Sequence, residues 1–556
     1  MRFPFVRFLS LAVLCCCGIR ISAIAQEPGR ALSYPVPAFI LDSVQIITVD
    51  VFDSTNRIPL VGGLVEQFHA RTRERVIRGE LFFADGDTLS QIDLDELELN
   101  LRRLTIFSDI RFEVIPWKGE EEEEIPYSML VIRTRDAWSL RFGVGYTKTE
   151  DVFSGYLSMR EVNLFGLAKQ VGVSASYSDF NDRGWLLGAS YYNPNIFGTH
   201  VYLGGDGGFA GNQRFGSFYV GRPFFSDRTP YAFNSMASYY AGQEVFDFRY
   251  PDAEVASLAD DARRTNLGGW YSIAGGRIGD VFRASLSVAY NRTIRHDLVD
   301  VHRAFENSVS IFGGISSHRR RYTRFVNADF DGERQVAIGA AGSISIGKIA
   351  PHSGGLDNIV YVGGDARQAW RSGNFYGFVA VEAGTGLAGK DARFTTERSE
   401  ASSALLFDHG TLAARFEQST VWNWPRYLYV PVDNANGLRG YPRLQHFGDN
   451  RLLFNFEYRA APVFTIMMFD FGAVAFYDIG SAWKQSEQLT DVRFHSSAGL
   501  GLRISNAKGQ IDKGLLRIDL AFNFEDRKIA RLIISSEEAF DVFGTLDYRP
   551  PAPYVY

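Results

Sequence analysis

The sequence predicts a mostly β protein, in which one small α+β domain precedes a large antiparallel transmembrane β-barrel. Three observations predict this. Beyond Ala137 the chain alternates between apolar and polar residues in short stretches, with turn residues between them, for about 400 residues. Aromatics make up 14% of the chain, with 45 Phe, 26 Tyr and 54 Gly, yet hydrophobic content is only 46%. Helical periodicity is confined to a short region ahead of that alternation.

The N-terminus is read first. Arg2 and Arg7 precede the apolar "FLSLAVLCCCG", and Ala23-Ile24-Ala25 follows, which is the pattern of a secretory signal peptide over residues 1–25. All three cysteines, Cys15, Cys16 and Cys17, fall inside it, so the exported chain is expected to carry no disulfide and no thiol chemistry. Residues 26–42 read as a Pro-containing linker. The mean hydropathy of −0.10 and the lack of long uninterrupted apolar runs argue against a helical membrane protein. The net charge of −6 gives nucleic acid no claim as a partner.

Residues 43–136 change character several times. "VQIITVDV" (44–51) is a β-branched strand, "TRERVIRGEL" (72–81) has helical periodicity, and Gly86-Asp87 breaks it. "QIDLDELELNLRRL" then places Leu94, Leu97, Leu101 and Leu104 along one helical face, with Asp93 and Glu96 at the spacing of an N-cap and its capping-box acid. Two strands, "IRFEVIPW" and "YSMLVIRTR", close the unit across a glutamate run, Glu120 to Glu124, read as a solvated hairpin tip. The order β-α-α-β-β suffices for one small core. With "HARTRERVIRGELFFADGD" and "LRRLTIFSDIRFEV", it resembles a polypeptide-transport-associated (POTRA) domain, in a single copy.

The long second region alternates cleanly in several places. "QVGVSASYS" sets Val171, Val173, Ala175 and Tyr177 on one face. In "NRLLFNFEYR", Leu452, Phe454, Phe456 and Tyr458 oppose Arg451, Asn455, Glu457 and Arg459. In "LLRIDLAFNFE", Leu516, Ile518, Leu520, Phe522 and Phe524 oppose Arg517, Asp519, Asn523 and Glu525. Soluble sandwiches also alternate, so alternation alone does not decide. Large apolar residues on one face, full charges on the other and no helices to cover either fit a closed barrel in lipid, apolar outside and polar within. "FSDRTPYAF" (225–233) would suit an interfacial aromatic girdle. The most apolar stretch, "APVFTIMMFDFGAVAFYDIGSAW" (461–483), is broken by Asp470, Gly472, Asp478 and Gly480. It reads as a strand entering near Met467, with Phe476, Asp478 and Gly480 on one face.

Three groups of motifs carry a family resemblance. "GLRGYP" (437–442) with "GDNRLLFNFEYR" resembles the lid loop and following strand of the BamA/TamA-type outer-membrane assembly superfamily. "AVAFYDIGSAW" resembles that family's next strand, and "SSAGLGLRI" and "GLLRIDLAFNF" its closing strands. "MREVNLFG" (159–166) and "YYNPNIFG" (191–198) resemble its recurrent strand-turn elements. The resemblance implies a barrel of 16 strands over residues 137–540, followed by a tail, 541–556, where such barrels commonly end at an aromatic residue. It also implies a lid formed by Leu438, Arg439, Gly440 and Tyr441, with Arg439 reaching Asp478 beside Phe476 and Gly480 on the inner wall. An arginine in a desolvated lumen needs a carboxylate that its planar fork can grip.

"GSISIGK" (342–348) has phosphate-loop spacing, but Ile349 stands where Ser or Thr should hold magnesium. No zinc or serine-hydrolase motif is present, so neither catalytic residue, cofactor nor metal is expected. The basic run "RRR" (319–321) beside His318 reads as a solvated loop, with contact to lipopolysaccharide phosphates as the alternative. The resemblance implies a non-enzymatic outer-membrane protein, with a periplasmic N-terminal domain, that inserts or translocates other proteins. Its implied partners are unfolded outer-membrane or exported proteins, periplasmic accessory proteins and outer-membrane lipids. The single POTRA-like copy leaves open a dedicated exporter of one protein or lipid. An outer-membrane hydrolase and a passive porin are the remaining alternatives.

Overall fold

The computed structural model describes residues 36–554 apart from 51–69, 117–124, 149–152, 180–183, 212, 250–254, 297–305, 327–332, 353–356, 424–429, 443–444, 467–468, 507–514, 526–527 and 536–537. The signal-peptide reading, most of the linker and the Glu120–Glu124 run lie outside the described residues.

An N-terminal module comes first. It contains β1 (Phe39–Val49), α1 (Glu74–Gly79), β2 (Thr88–Leu89), α2 (Gln91–Arg103), β3 (Phe107–Pro116) and β4 (Tyr127–Asp136). Its sheet runs β2-β1-β4-β3, with β1 parallel to β4. The first strand begins at Phe39, inside the expected linker. Leu94, Leu97, Leu101 and Leu104 are buried along α2, as their spacing requires. The helix cap differs from expectation. Ser90 is the N-cap, and Asp93, at the third helical position, accepts from the Ser90 backbone N at 2.9 Å. Glu96 is thereby freed for another contact.

The barrel strands follow. In its first half they are β5 (Leu140–Lys148), β6 (Phe153–Leu164), β7 (Lys169–Ser178), β8 (Gly184–Asn193), β9 (Tyr202–Ala210), β10 (Gln213–Arg222), β11 (Tyr231–Arg249), β12 (Val255–Arg277), β13 (Asp280–Arg295) and β14 (Ser308–Val326). Next come β15 (Glu333–Pro351), β16 (Ile359–Ser372), β17 (Phe375–Ala388), β18 (Asp391–Phe407) and β19 (Gly410–Trp422). A small hairpin, β20 (Val430–Val432) with β21 (His446–Gly448), stands apart from the wall. The wall resumes with β22 (Asn450–Ala460), β23 (Phe464–Ile466), β24 (Phe469–Trp483), β25 (His495–Asn506), β26 (Leu516–Asn523) and β27 (Lys528–Ser535).

Both β22 and β23 pair with β24, so β23 continues the line of β22, and the described residues form a barrel of 20 strands rather than the 16 expected. Within the apolar stretch 461–483, β24 begins at Phe469, as the expected entry near Met467 required, and the short limb β23 precedes it. Along β22, Phe456 and Tyr458 face outward while Asn455, Glu457 and Arg459 are buried within, and other strands repeat the pattern. Closure is uneven. β11 and β12 share a ladder of nineteen residue pairs, but β27 meets β5 through the single pair Ile534–Tyr146 among the described residues.

The module docks on the barrel mouth through a device used twice. In "NLFGLA" and "NIFGTH" the third, fourth and sixth residues have left-handed backbones (φ of 57°, 70° and 56° in one, 54°, 75° and 59° in the other). The leading asparagine closes each turn by accepting from the sixth residue: Asn163 from Ala168 N at 2.9 Å, Asn195 from His200 N at 2.8 Å. Each asparagine amide then donates to the module, Asn163 to Thr72 Oγ1 at 2.9 Å and Asn195 to Gly79 O at 2.8 Å. Gly166 permits the close approach, since a Cβ there would lie 2.1 Å from the Arg71 carbonyl oxygen.

A charged cluster completes the docking. Glu96 accepts from Asp227 N at 3.0 Å and from Arg320 Nη2 at 3.2 Å, while Arg320 and His318 both reach Asp227, at 2.8 and 3.0 Å. Arg324 pairs with Glu98 beside it. The "RRR" run is thus part of β14, not a solvated loop, and its middle arginine is buried against the module. Phe225, expected in a girdle, instead stacks on His200 at 3.7 Å, whereas Tyr231 does face outward and stacks on Tyr271.

Candidate functional site

The loop between β19 and β22 enters the barrel from the end away from the module. Its hairpin, β20 and β21, brings residues 433–442 to the inner wall. Asp433 starts the bend by accepting from Ala435 N at 2.9 Å and Asn436 N at 3.2 Å. Gly437 then turns at φ 107°, where a Cβ would also meet Leu453 Cδ2 at 2.7 Å, and Gly440 turns at φ 88°. These two glycines bracket Leu438 and Arg439. Leu438 and Tyr441 are buried with Val432 and Leu453.

Arg439 is 1% exposed and makes four polar contacts. Nε donates to Asp478 Oδ2 and Nη2 to Asp478 Oδ1, both at 2.7 Å, the two-pronged grip of a guanidinium on a carboxylate. Nη1 donates to Glu457 Oε1 at 2.6 Å, and Asp519 Oδ2 lies 3.6 Å away. The guanidinium also sits 3.6 Å above the Phe476 ring, a further source of attraction for a buried cation. Asn455 ties the arrangement together, its amide donating to both Asp478 Oδ1 and Gly437 O at 2.7 Å. Gly480 leaves room for Leu453, whose Cδ1 would stand 3.0 Å from an added Cβ.

All seven candidate residues therefore lie in one place, with the lid residues on the loop and Phe476, Asp478 and Gly480 on the inward face of β24. Sequence reasoning set Asn455, Glu457 and Asp519 on the wet faces of their strands but assigned them no part in the site. The signal was there, because inward charges on β22, beside the strand that carries Asp478, and on β26, one strand beyond its other neighbour, must converge if the sheet closes. Their surplus charge is matched by further arginines. Arg459 donates to Glu457 at 2.8 Å and Arg503 to Asp519 at 2.6 Å. Arg503 also reaches Glu538 at 2.9 Å, beyond the last strand, and Arg459 reaches the Phe540 carbonyl at 2.9 Å.

At the lid's outer edge the Tyr441 hydroxyl donates to Ser496 O at 3.0 Å, and its ring rests edge-on against His446 and His495. The two imidazoles stack at 3.5 Å, with Glu525 3.0 Å from His495 Nδ1. These three are metal-ligand residue types, the one such group among the described residues. Stacked rings cannot both point in plane at one ion, so the trio supports the lid by contact and hydrogen bonding. Burial, and then the neighbouring His495, push the His446 imidazole down to about 4, so it is neutral at physiological pH.

No family model matches the chain. A curated relative, the outer membrane protein assembly factor BamA of Nitratidesulfovibrio vulgaris, is 27% identical over 157 residues. That match takes in 28% of this chain and 18% of the relative's length. Among solved structures, BamA from Haemophilus ducreyi lacking POTRA domains 1–3 aligns over 89% of this chain and 83% of its own, at 12% identity and a TM-score of 0.33. CdiB from Escherichia coli aligns over 91% of this chain and 90% of its own, at 12% identity and a TM-score of 0.42. The sequence match to the curated relative points the same way as the motif resemblance, toward the BamA/TamA-type superfamily of outer-membrane β-barrel proteins.

Proposed function

We propose that this protein inserts other proteins into the outer membrane, or passes them across it, without making or breaking covalent bonds. One observation carries the reading: among the described residues the barrel's two terminal strands meet through a single residue pair, while neighbouring strands elsewhere are laddered along their length. A strand edge with unpaired backbone groups is a template on which an incoming strand can add. The lid, pinned by Arg439, holds the rest of the wall in one arrangement while that seam works. The N-terminal module, read as one POTRA-like domain over residues 43–136 behind a cleaved leader, receives unfolded clients on the periplasmic side.

The single module favours a second reading within the same class, a dedicated exporter of one protein or lipid. Depletion followed by quantitative proteomics of the outer membrane and medium separates the two. Broad loss of barrel proteins marks a general insertase, whereas loss of one or two exported proteins marks a dedicated transporter. No change in either rejects protein transport. The seam is tested directly with the pair Tyr146→Cys and Ile534→Cys, since all native cysteines lie within residues 15–17. Oxidative closure should abolish rescue of the depleted strain, and reduction should restore it.

A further inference from the structure

The chain does not end at the last strand, and its remainder turns into the barrel. From Phe540 to Tyr554 it runs along the inner wall as an extended segment without helix or strand. Phe540, Val542, Phe543 and Leu546 are buried in one apolar cluster with Phe325, Tyr376, Phe378 and Leu406 of the wall. Gly544 lies so close to Phe378 that an added Cβ would stand 2.3 Å from its ring. Farther along, the Tyr548 hydroxyl meets Ser285 at 2.7 Å and its ring meets Trp270. Tyr554 donates its hydroxyl to Asp365 at 2.9 Å and its backbone N to the Tyr361 hydroxyl at 3.0 Å.

The way the wall grips this segment distinguishes it from a barrel strand. Its backbone carbonyls are held by wall side chains: Ser402 donates to Val542 O at 2.7 Å, Arg367 to Thr545 O and Asp547 O at 3.1 and 2.9 Å, and Thr396 to Tyr554 O at 2.8 Å. Among the described residues, no backbone-to-backbone hydrogen bond joins 538–554 to a strand. Pro550, Pro551 and Pro553 remove donors that such pairing would need and pre-extend the chain. A cavity of about 340 Å³ lined by Arg367, Glu382, Arg398 and Arg415 remains beside the segment, so this contact is not packed like a protein core.

We propose that the inner wall of β12–β18 is a peptide-binding groove whose resident ligand is the chain's own C-terminal segment, and that this segment is a releasable plug. Seated, it closes the lumen to solutes. Released, it leaves the strands intact and uncovers an apolar, arginine-bearing groove for an extended, aromatic-rich peptide. The proposal is independent of whether the barrel inserts proteins.

The test keeps folding out of the question. A protease site is introduced at residues 536–537 of the full chain, and the barrel is folded, purified and placed in planar bilayers before cleavage. Cleavage and washing should release the segment, read by mass spectrometry, and raise conductance about tenfold or more. A synthetic peptide of residues 538–556 should then restore the block saturably. The same peptide with Phe543→Ala and Tyr554→Ala should bind about tenfold more weakly or worse. In the uncleaved chain, Gly544→Val should give the open conductance by unseating the segment. Retention of the cleaved segment would overturn release. Unchanged conductance after verified release would overturn the plug, and a wild-type peptide that fails to block would overturn the groove.

Discussion

The lid and the C-terminal segment both enter the same lumen, from opposite ends, and they are held by opposite means. The lid concentrates its attachment on one side chain: Arg439 is fully buried, touches two acids directly and has a third close by. The C-terminal segment spreads its attachment over carbonyls, aromatic rings and half-exposed pairs such as Arg549–Glu382. Concentrated, desolvated charge makes a fixture, because removing Arg439 takes from the buried Asp478 its cation among the described residues, although Glu457 keeps Arg459 and Asp519 keeps Arg503. Distributed contacts make something that can be peeled away, because no single loss leaves a buried charge behind.

The comparison can be broken at its strongest point first. Arg439→Ala should leave Asp478, Glu457 and Asp519 without their shared cation and cost about 3–5 kcal/mol, read as a lowered urea midpoint for barrel unfolding. Arg439→Lys should recover only part, because an ammonium cannot grip Asp478 with two prongs and reach Glu457 at once. Next in size, Gly437→Val should cost about 1–3 kcal/mol by forcing a β-branched residue into a left-handed turn, seen as protease cleavage within 433–442. At the weak end, Arg549→Ala should change stability by less than about 1 kcal/mol, since that pair is partly in water. If Arg549→Ala matched Arg439→Ala in the unfolding assay, the contrast between the two attachments would be wrong.

A pH experiment sharpens the same distinction at the module. Burial pushes the Glu96 carboxyl up to about 8, with help from the nearby Asp227, and burial pushes Glu80 up to about 7. Both groups gain protons on docking. The stability they contribute is therefore complete below their ordinary carboxylate range and is lost as pH climbs through about 7 to 8. Arg320, His318 and Arg283 face Glu96 or Asp227 throughout and oppose but do not cancel that loss. Hydrogen exchange of α2 should quicken across this window, and Glu96→Gln should flatten the response.

Much of this was legible in the sequence, for a physical reason. Alternation reports which face of a strand is wet, which placed the charged faces of β22 and β26, whereas the meeting of Arg439 with Asp478 was implied by the family resemblance of the loop and its neighbouring strands. Alternation does not report where one long strand stops. β12, at 23 residues, carries "GG" in its middle, and turns such as Gly373-Asn374 are too short to count reliably, so the sequence offered no count of its own to set against the 16 strands that the resemblance implied. The capping acid was displaced by three residues because Ser90 also caps well. Arg320 looked solvated because its partner, Glu96, lies 224 residues away. The C-terminal segment has no periodicity at all, and its prolines gave no hint of an address.

The paired asparagine turns have a mechanical consequence. They clamp the module to two neighbouring hairpin bends in the first five strands, the strands that form one lip of the barrel's weakest join. A module fixed at two points cannot pivot independently of that lip. Because Glu96 and Glu98 fix the same module to Arg320 and Arg324 of β14, it acts as a brace between the lip and the rest of the wall, and the lip can swing outward only if one of the two sets of contacts parts.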